Sequence, residues 1–128
     1  MIILGIDPGY AILGYGAVEA ERGKIRVIDY GVVETTPKMT FPERLERLYA
    51  GTKLLLERYR PDHVAFEELF FYRNTTTALQ VAAARGVAIT AAQQAGLPLY
   101  EYTPMQIKQS VTGDGLSLIH ISEPTRLL

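Results

Sequence analysis

The sequence contains no cysteine and only two histidines. Without thiols there are neither disulfides nor thiolate metal centres, and two histidines as far apart as His63 and His120 do not make a zinc site. No run approaches the ~18 apolar residues of a membrane span, and no charged segment precedes the apolar N-terminus, so the expected location is the cytoplasm, with no membrane partner. An excess of charge is missing as well: 13 Lys and Arg stand against 14 Asp and Glu. Bulk attraction to nucleic acid is therefore not expected, although one face could still be locally basic. What remains is ordinary globular composition, 48% hydrophobic over 128 residues, long enough for one domain with a real core.

Residues 2–7, 12–19 and 25–34 read as three strands joined by turns at Asp7, Pro8 and Gly9 and at 21–24, an antiparallel meander. Period-two alternation places Val27, Asp29, Gly31 and Val33 on one face of the third strand. Thr40, Pro42 and Glu43 form a capping box, after which Leu45, Leu48, Tyr49, Thr52, Leu55, Leu56 and Tyr59 recur at helical spacing until Arg60, Pro61 and Asp62. Residues 63–68 read as a fourth strand and 70–73 as a loop. Asn74 or Thr75 caps a second helix to about Ala95, residues 98–102 make a fifth strand, and a third helix runs from Thr103 and Pro104 to about Val111. The expected fold class is α/β: a mixed sheet of five strands, three antiparallel and then two parallel, with helices on both faces. Residues 116–128 show neither period and resemble translated sequencing-adapter read-through. The expected organisation is thus a domain over 1–115 and a non-native tail over 116–128, set aside from the fold.

Two apolar runs end in acids: Ile2 to Ile6 leads into Asp7, and His63 to Phe66 leads into Glu67 and Glu68. Charge at the end of a core strand costs free energy unless it is compensated, and hard divalent cations take carboxylate oxygens. Acids on adjacent strands form a like-charge cluster that a cation relieves, the arrangement used for phosphodiester cleavage. The plain structural alternative for Asp7 is an Asx-turn bonded to its own backbone. Alternation sends Glu67 and Glu68 to opposite faces without saying which one joins Asp7.

Gly5 to Gly9 followed by Leu13, Gly14, Tyr15 and Gly16 resembles the first strand and hairpin of the RuvC family of Holliday-junction resolvases. Phe66 to Phe70, Asn74 and the run Ala84 to Val87 resemble its second acidic motif and following helix. Tyr100 to Tyr102, Gln106 to Gln109 and Val111 to Gly113 resemble its next strand and basic helix. The resemblance covers residues 1–115. It implies an RNase H-like fold, a homodimer, Mg²⁺, paired nicks in four-way junction DNA and a branch-migration helicase partner. It makes Asp7 and Glu67 the metal-binding catalytic acids and demotes Glu68. It places Phe70 near the junction centre, stacked on an unpaired base, and Lys108 near the scissile phosphate; Arg73 is a candidate phosphate contact. Two further acids that the family carries on a C-terminal helix have no counterpart in 109–128, so impaired cleavage is expected of this chain, along with an uncovered apolar sheet surface. Small residues on the second helix (Ala78, Leu79, Ala82, Ala83, Gly86, Val87, Thr90 and Ala91) suggest part of a two-fold interface.

Three other readings share parts of this pattern. An actin-like or sugar-kinase-like phosphotransferase also opens with a strand, an Asp between glycines and a hairpin, but needs a second large lobe to enclose ATP. A ribosomal-RNA-processing nuclease of the same fold would share Asp7 and the metal. A non-catalytic junction-binding module would keep the DNA contacts alone.

Overall fold

Apolar side chains on both faces of the first strand mark it for the middle of a sheet, and that is where it lies. The computed structural model describes residues 1–68 and 75–102 and the backbone of 126–127. In chain order the elements are β1 (Ile2–Asp7), β2 (Ile12–Glu21), β3 (Lys24–Glu34), α1 (Phe41–Tyr59), β4 (His63–Glu67), α2 (Thr75–Gln94), β5 (Leu99–Tyr102) and β6 (Arg126–Leu127). The sheet order is β3-β2-β1-β4-β5-β6. β1, β2 and β3 form the antiparallel meander, and β4 and β5 run parallel to β1. β6 adds antiparallel to β5, a sixth strand where five were expected. Backbone hydrogen bonds at a free sheet edge accept a strand without asking for a side-chain pattern, which is why periodicity did not reveal it.

α1 starts as expected: the Thr40 side chain accepts from the Glu43 N–H, and the Glu43 carboxylate accepts from the Thr40 N–H. It ends at Arg60, which takes the left-handed conformation and donates its N–H to the Leu56 carbonyl. Leu48, Leu55 and Leu56 of α1 and Ala84, Ala88 and Ala92 of α2 meet Leu4, Ile6, Leu13, Val64, Phe66 and Leu99 of the sheet in one core. Gly51 lets α1 close on β3, since a Cβ there would stand 2.8 Å from a Val33 methyl. Both described helices therefore cover the same face. The third expected helix, from Thr103, lies outside the described residues.

The opposite face carries a smaller cluster of Ile3, Ala65 and Tyr102, flanked by Val18, Ala20 and Tyr100. β3 corrects one expectation. Asp29, Gly31 and Val33 pair with Ala17, Tyr15 and Leu13 on the helix side, but Val27 pairs with Val18 on the other side and is 61% exposed. The register shifts between Ala17 and Val18, leaving Ile28 as an extra residue in β3. Such a bulge reverses which face the alternation addresses, and the sequence carries no turn residue to announce it.

Candidate metal centre

The geometry begins at the far end of the strands. The Asp62 carboxylate accepts from the Ile2 N–H at 2.7 Å, and the Asp62 N–H donates to the Ile2 carbonyl at 2.7 Å. This two-way tie starts β1 and β4 together. Parallel pairing then runs from Ile3 beside His63 to Ile6 beside Phe66. One residue further, Asp7 and Glu67 end their strands side by side.

Beyond Asp7 the chain must turn sharply. A Cβ at Gly9 would collide with the Ile12 carbonyl oxygen, so glycine is required by the close approach. The turn is fastened from outside: the Thr35 hydroxyl donates to the Tyr10 carbonyl at 2.8 Å, and the Thr35 N–H donates to the Ala11 carbonyl. The Arg44 guanidinium in turn donates to the Thr35 hydroxyl and lies 3.9 Å over the Tyr10 ring. Opposite Asp7 stands Gly14, and Gly5 pairs with Gly16 just behind. The surface around the acid therefore carries little side-chain bulk.

The two carboxyl groups touch. Burial raises the pKa of Glu67 above its usual 4.5, the negative charge of Asp7 raises it further, and a hydrogen bond between the two side chains adds to the effect. Two carboxylates this close repel when both are ionised, and a shared proton or a bound cation relieves that repulsion. The donor set is all oxygen and anionic, which fits a hard divalent cation. Asp7 and Glu67 stand at one end of an open groove of about 450 Å³ along the face that lacks a described helix, bordered by Ile3, Val18, Ile25, Val27, Ala65 and Tyr102. Among the described residues no group of three or more metal-ligating side chains comes together.

Asp7 and Glu67 thus meet as expected. Glu68 is exposed past the strand end, where its N–H donates to the Tyr102 carbonyl at 2.7 Å. Phe70, Arg73 and Lys108, and the loop residues Phe71 and Tyr72, lie outside the described residues. Three neighbours of the pair escaped sequence reasoning. Tyr102 pairs with Glu67, and its hydroxyl is pushed up to about 12, mainly by burial and then by Tyr100. Arg85 of α2 and Glu101 of β5 form a buried ion pair, each residue 8% exposed. Their sequence signal was charge at buried positions: Arg85 falls on the stripe of Ala84, Ala88 and Ala92, and Glu101 has the parity of Leu99.

The sequence model of the family described as "Crossover junction endodeoxyribonuclease RuvC" matches residues 3–118. The RuvC of Alkaliphilus metalliredigens is 56% identical over 115 residues, covering 90% of this chain and 70% of the relative. A structure of "T. thermophilus RuvC in complex with Holliday junction substrate" superposes with a TM-score of 0.81 at 43% identity, covering 90% of this chain and 70% of that one. The yeast mitochondrial Holliday junction resolvase Ydc2, at 16% identity and a TM-score of 0.65 over 87% of this chain and 55% of its own, shares the fold. Strand order, paired acids and this similarity agree: the fold is RNase H-like, and the chain belongs to the RuvC family of crossover junction endodeoxyribonucleases.

Proposed function

We propose that Asp7 and Glu67 together hold a Mg²⁺ ion and that the chain uses it to cut opposed strands of four-way junction DNA in the cytoplasm. Divalent-metal dependence goes with the family; the choice of Mg²⁺ rests on the small, all-oxygen donor set. The carrying observation is the contact of the two carboxyl groups at the ends of adjacent parallel strands. When bound, the ion supplies charge stabilisation for the attacking and leaving oxygens of the phosphodiester. The protein's part is to present two oxygens at a fixed spacing. It keeps bulk away from Asp7 through Gly5, Gly14 and Gly16, and it leaves the groove open for a nucleic-acid strand.

Further roles follow the family pattern. Phe70 stacks on an unpaired base near the junction centre, Lys108 stands near the scissile phosphate, and Arg73 contacts backbone phosphate. Two-fold junctions ask for a two-fold enzyme, and α2 supports a homodimer. Its buried residues are Val81, Ala84, Arg85, Ala88, Ala91 and Ala92, so Ala91 packs inward and leaves the expected interface stripe, whereas Leu79, Ala82, Gly86 and Thr90 are exposed. A Cβ on Gly86 would meet nothing, so another backbone has room to approach there. A branch-migration helicase is the expected further partner. The kinase-like and ribosomal-RNA-processing readings are not favoured by the family match.

The test is nicking of a labelled four-way junction against a linear duplex of the same sequence, with Mg²⁺ or Ca²⁺. Junction-selective binding in both ions, with nicking in Mg²⁺ alone that Asp7→Asn and Glu67→Gln abolish, is the expected result. Equal nicking by the wild type and both variants would remove the acids from the reaction. Ala83→Glu should shift the sedimentation of the dimer to that of the monomer.

A further inference from the structure

We propose that Arg85, clamped by Glu101, is a positioning residue that sets the Glu67 carboxylate against Asp7 for cation binding; this rests on the two-carboxylate reading above. The peptide group that follows Glu67 is held at both ends. Its carbonyl accepts from Arg85 Nη1 at 2.7 Å, and its N–H, which belongs to Glu68, donates to the Tyr102 carbonyl at 2.7 Å. β4 ends here, so no further ladder bond on the β1 side fixes the direction of the Glu67 side chain. The sheet holds the chain up to Glu67, and this peptide plane is what fixes the side of Glu67 beyond the last β1 pairing at Phe66.

Arg85 reaches it from beneath. The residue lies on the sheet-facing stripe of α2, its other terminal nitrogen donates to Glu101 Oε2, and its guanidinium carbon sits 5.9 Å from the centre of the Phe66 ring. Phe66 and Glu101 are themselves cross-strand partners on the helix face. The guanidinium is therefore gripped on the side of the sheet away from the groove, where substrate and cation have no access. An arginine cannot shed its proton, so burying one requires a carboxylate partner and full hydrogen bonding. Such pairs seldom add net stability over well-packed apolar residues; what a planar fork supplies is direction. Here one arm is spent on Glu101 and the other on the backbone of the residue that faces Asp7. Outer partners that orient metal ligands typically change affinity by about 10–100-fold.

The experiment titrates the full chain with Mn²⁺ alone and reads binding from water-proton relaxation, with urea unfolding followed in parallel. The double variant Arg85→Met with Glu101→Leu removes both charges. It should keep a wild-type or higher urea midpoint while binding Mn²⁺ about tenfold or more weakly. Arg85→Lys, which keeps the charge but not the fork, should bind with intermediate affinity. Wild-type affinity in the folded double variant overturns the proposal. If that variant does not fold, Glu101→Gln replaces it: weakened Mn²⁺ binding supports the proposal, and unchanged binding defeats it. Asp7→Asn and Glu67→Gln report separately on the underlying site. If they bind as wild type does, the two-carboxylate reading fails; if they lose binding while the Arg85 variants keep it, only the strut is wrong.

Discussion

Replacing Glu67 by glutamine should stabilise the metal-free protein at alkaline pH and leave it no more stable in acid. Glu67 has a folded-state pKa raised above 4.5, first by burial and then by Asp7. A raised acid contributes stability that is complete below its unfolded value and is lost as pH rises through its folded value. Above that window both carboxyl groups are charged and repel. Two unit charges 4 Å apart repel by about 1 kcal/mol in water and about 4 kcal/mol at the effective dielectric of a protein surface. Asp7 is exposed and Glu67 half-buried, so the lower part of that span applies: a gain of about 1–2 kcal/mol for the variant at pH 8. For a domain of this size that is roughly 4–7 °C in Tm. Asp29 and Glu43 have lowered pKa values and lose their contributions on acidification, the opposite sense, but both chains share them and they cancel in the difference. Mg²⁺ should invert the ranking by binding the folded wild type and not the variant. The assay is urea unfolding from pH 4 to 8, with and without Mg²⁺. Parallel stability curves for the two proteins, unmoved by Mg²⁺, would refute the account.

Asp62→Ala removes the carboxylate half of the tie between the starts of β1 and β4 and leaves the backbone N–H on the Ile2 carbonyl; it should cost about 1 kcal/mol in urea unfolding and speed hydrogen exchange at the Ile2 N–H. Gly9→Ala drives a methyl into the Ile12 carbonyl; a Tm lowered with Mn²⁺ affinity lowered alongside it is the expected pair of changes, and an unchanged Tm would show that the turn yields freely. Leu48→Ala opens a hole beneath the sheet at a fully buried position and should cost about 2–5 kcal/mol by denaturant unfolding, with Mn²⁺ binding retained by the folded fraction.

What the chain disclosed in advance were features written in local code. The capping box at Thr40 and Glu43 depends on four consecutive residues, and strands read from apolar runs gave the order of elements. Asp7 and Glu67 stood out because acids at the ends of apolar runs are conspicuous against their surroundings. Less visible were matters decided across the sheet. The bulge at Ile28 depends on β2 as much as on β3, so counting along β3 put Val27 on the wrong face. The pair of Arg85 and Glu101 joins a helix to a strand across 16 residues, and neither partner alone signals the other.

The anchor at Ile2 and Asp62 has a consequence for how this architecture tolerates change. It fixes the alignment of the two acid-bearing strands at the end opposite the acids, so the alignment does not depend on what the chain does between them. The far tip of the β2–β3 hairpin could gain or lose residues without sliding Asp7 past Glu67. Length variation in this stretch is insulated from the carboxylates, and duplications or trimming there would alter the periphery and spare the centre.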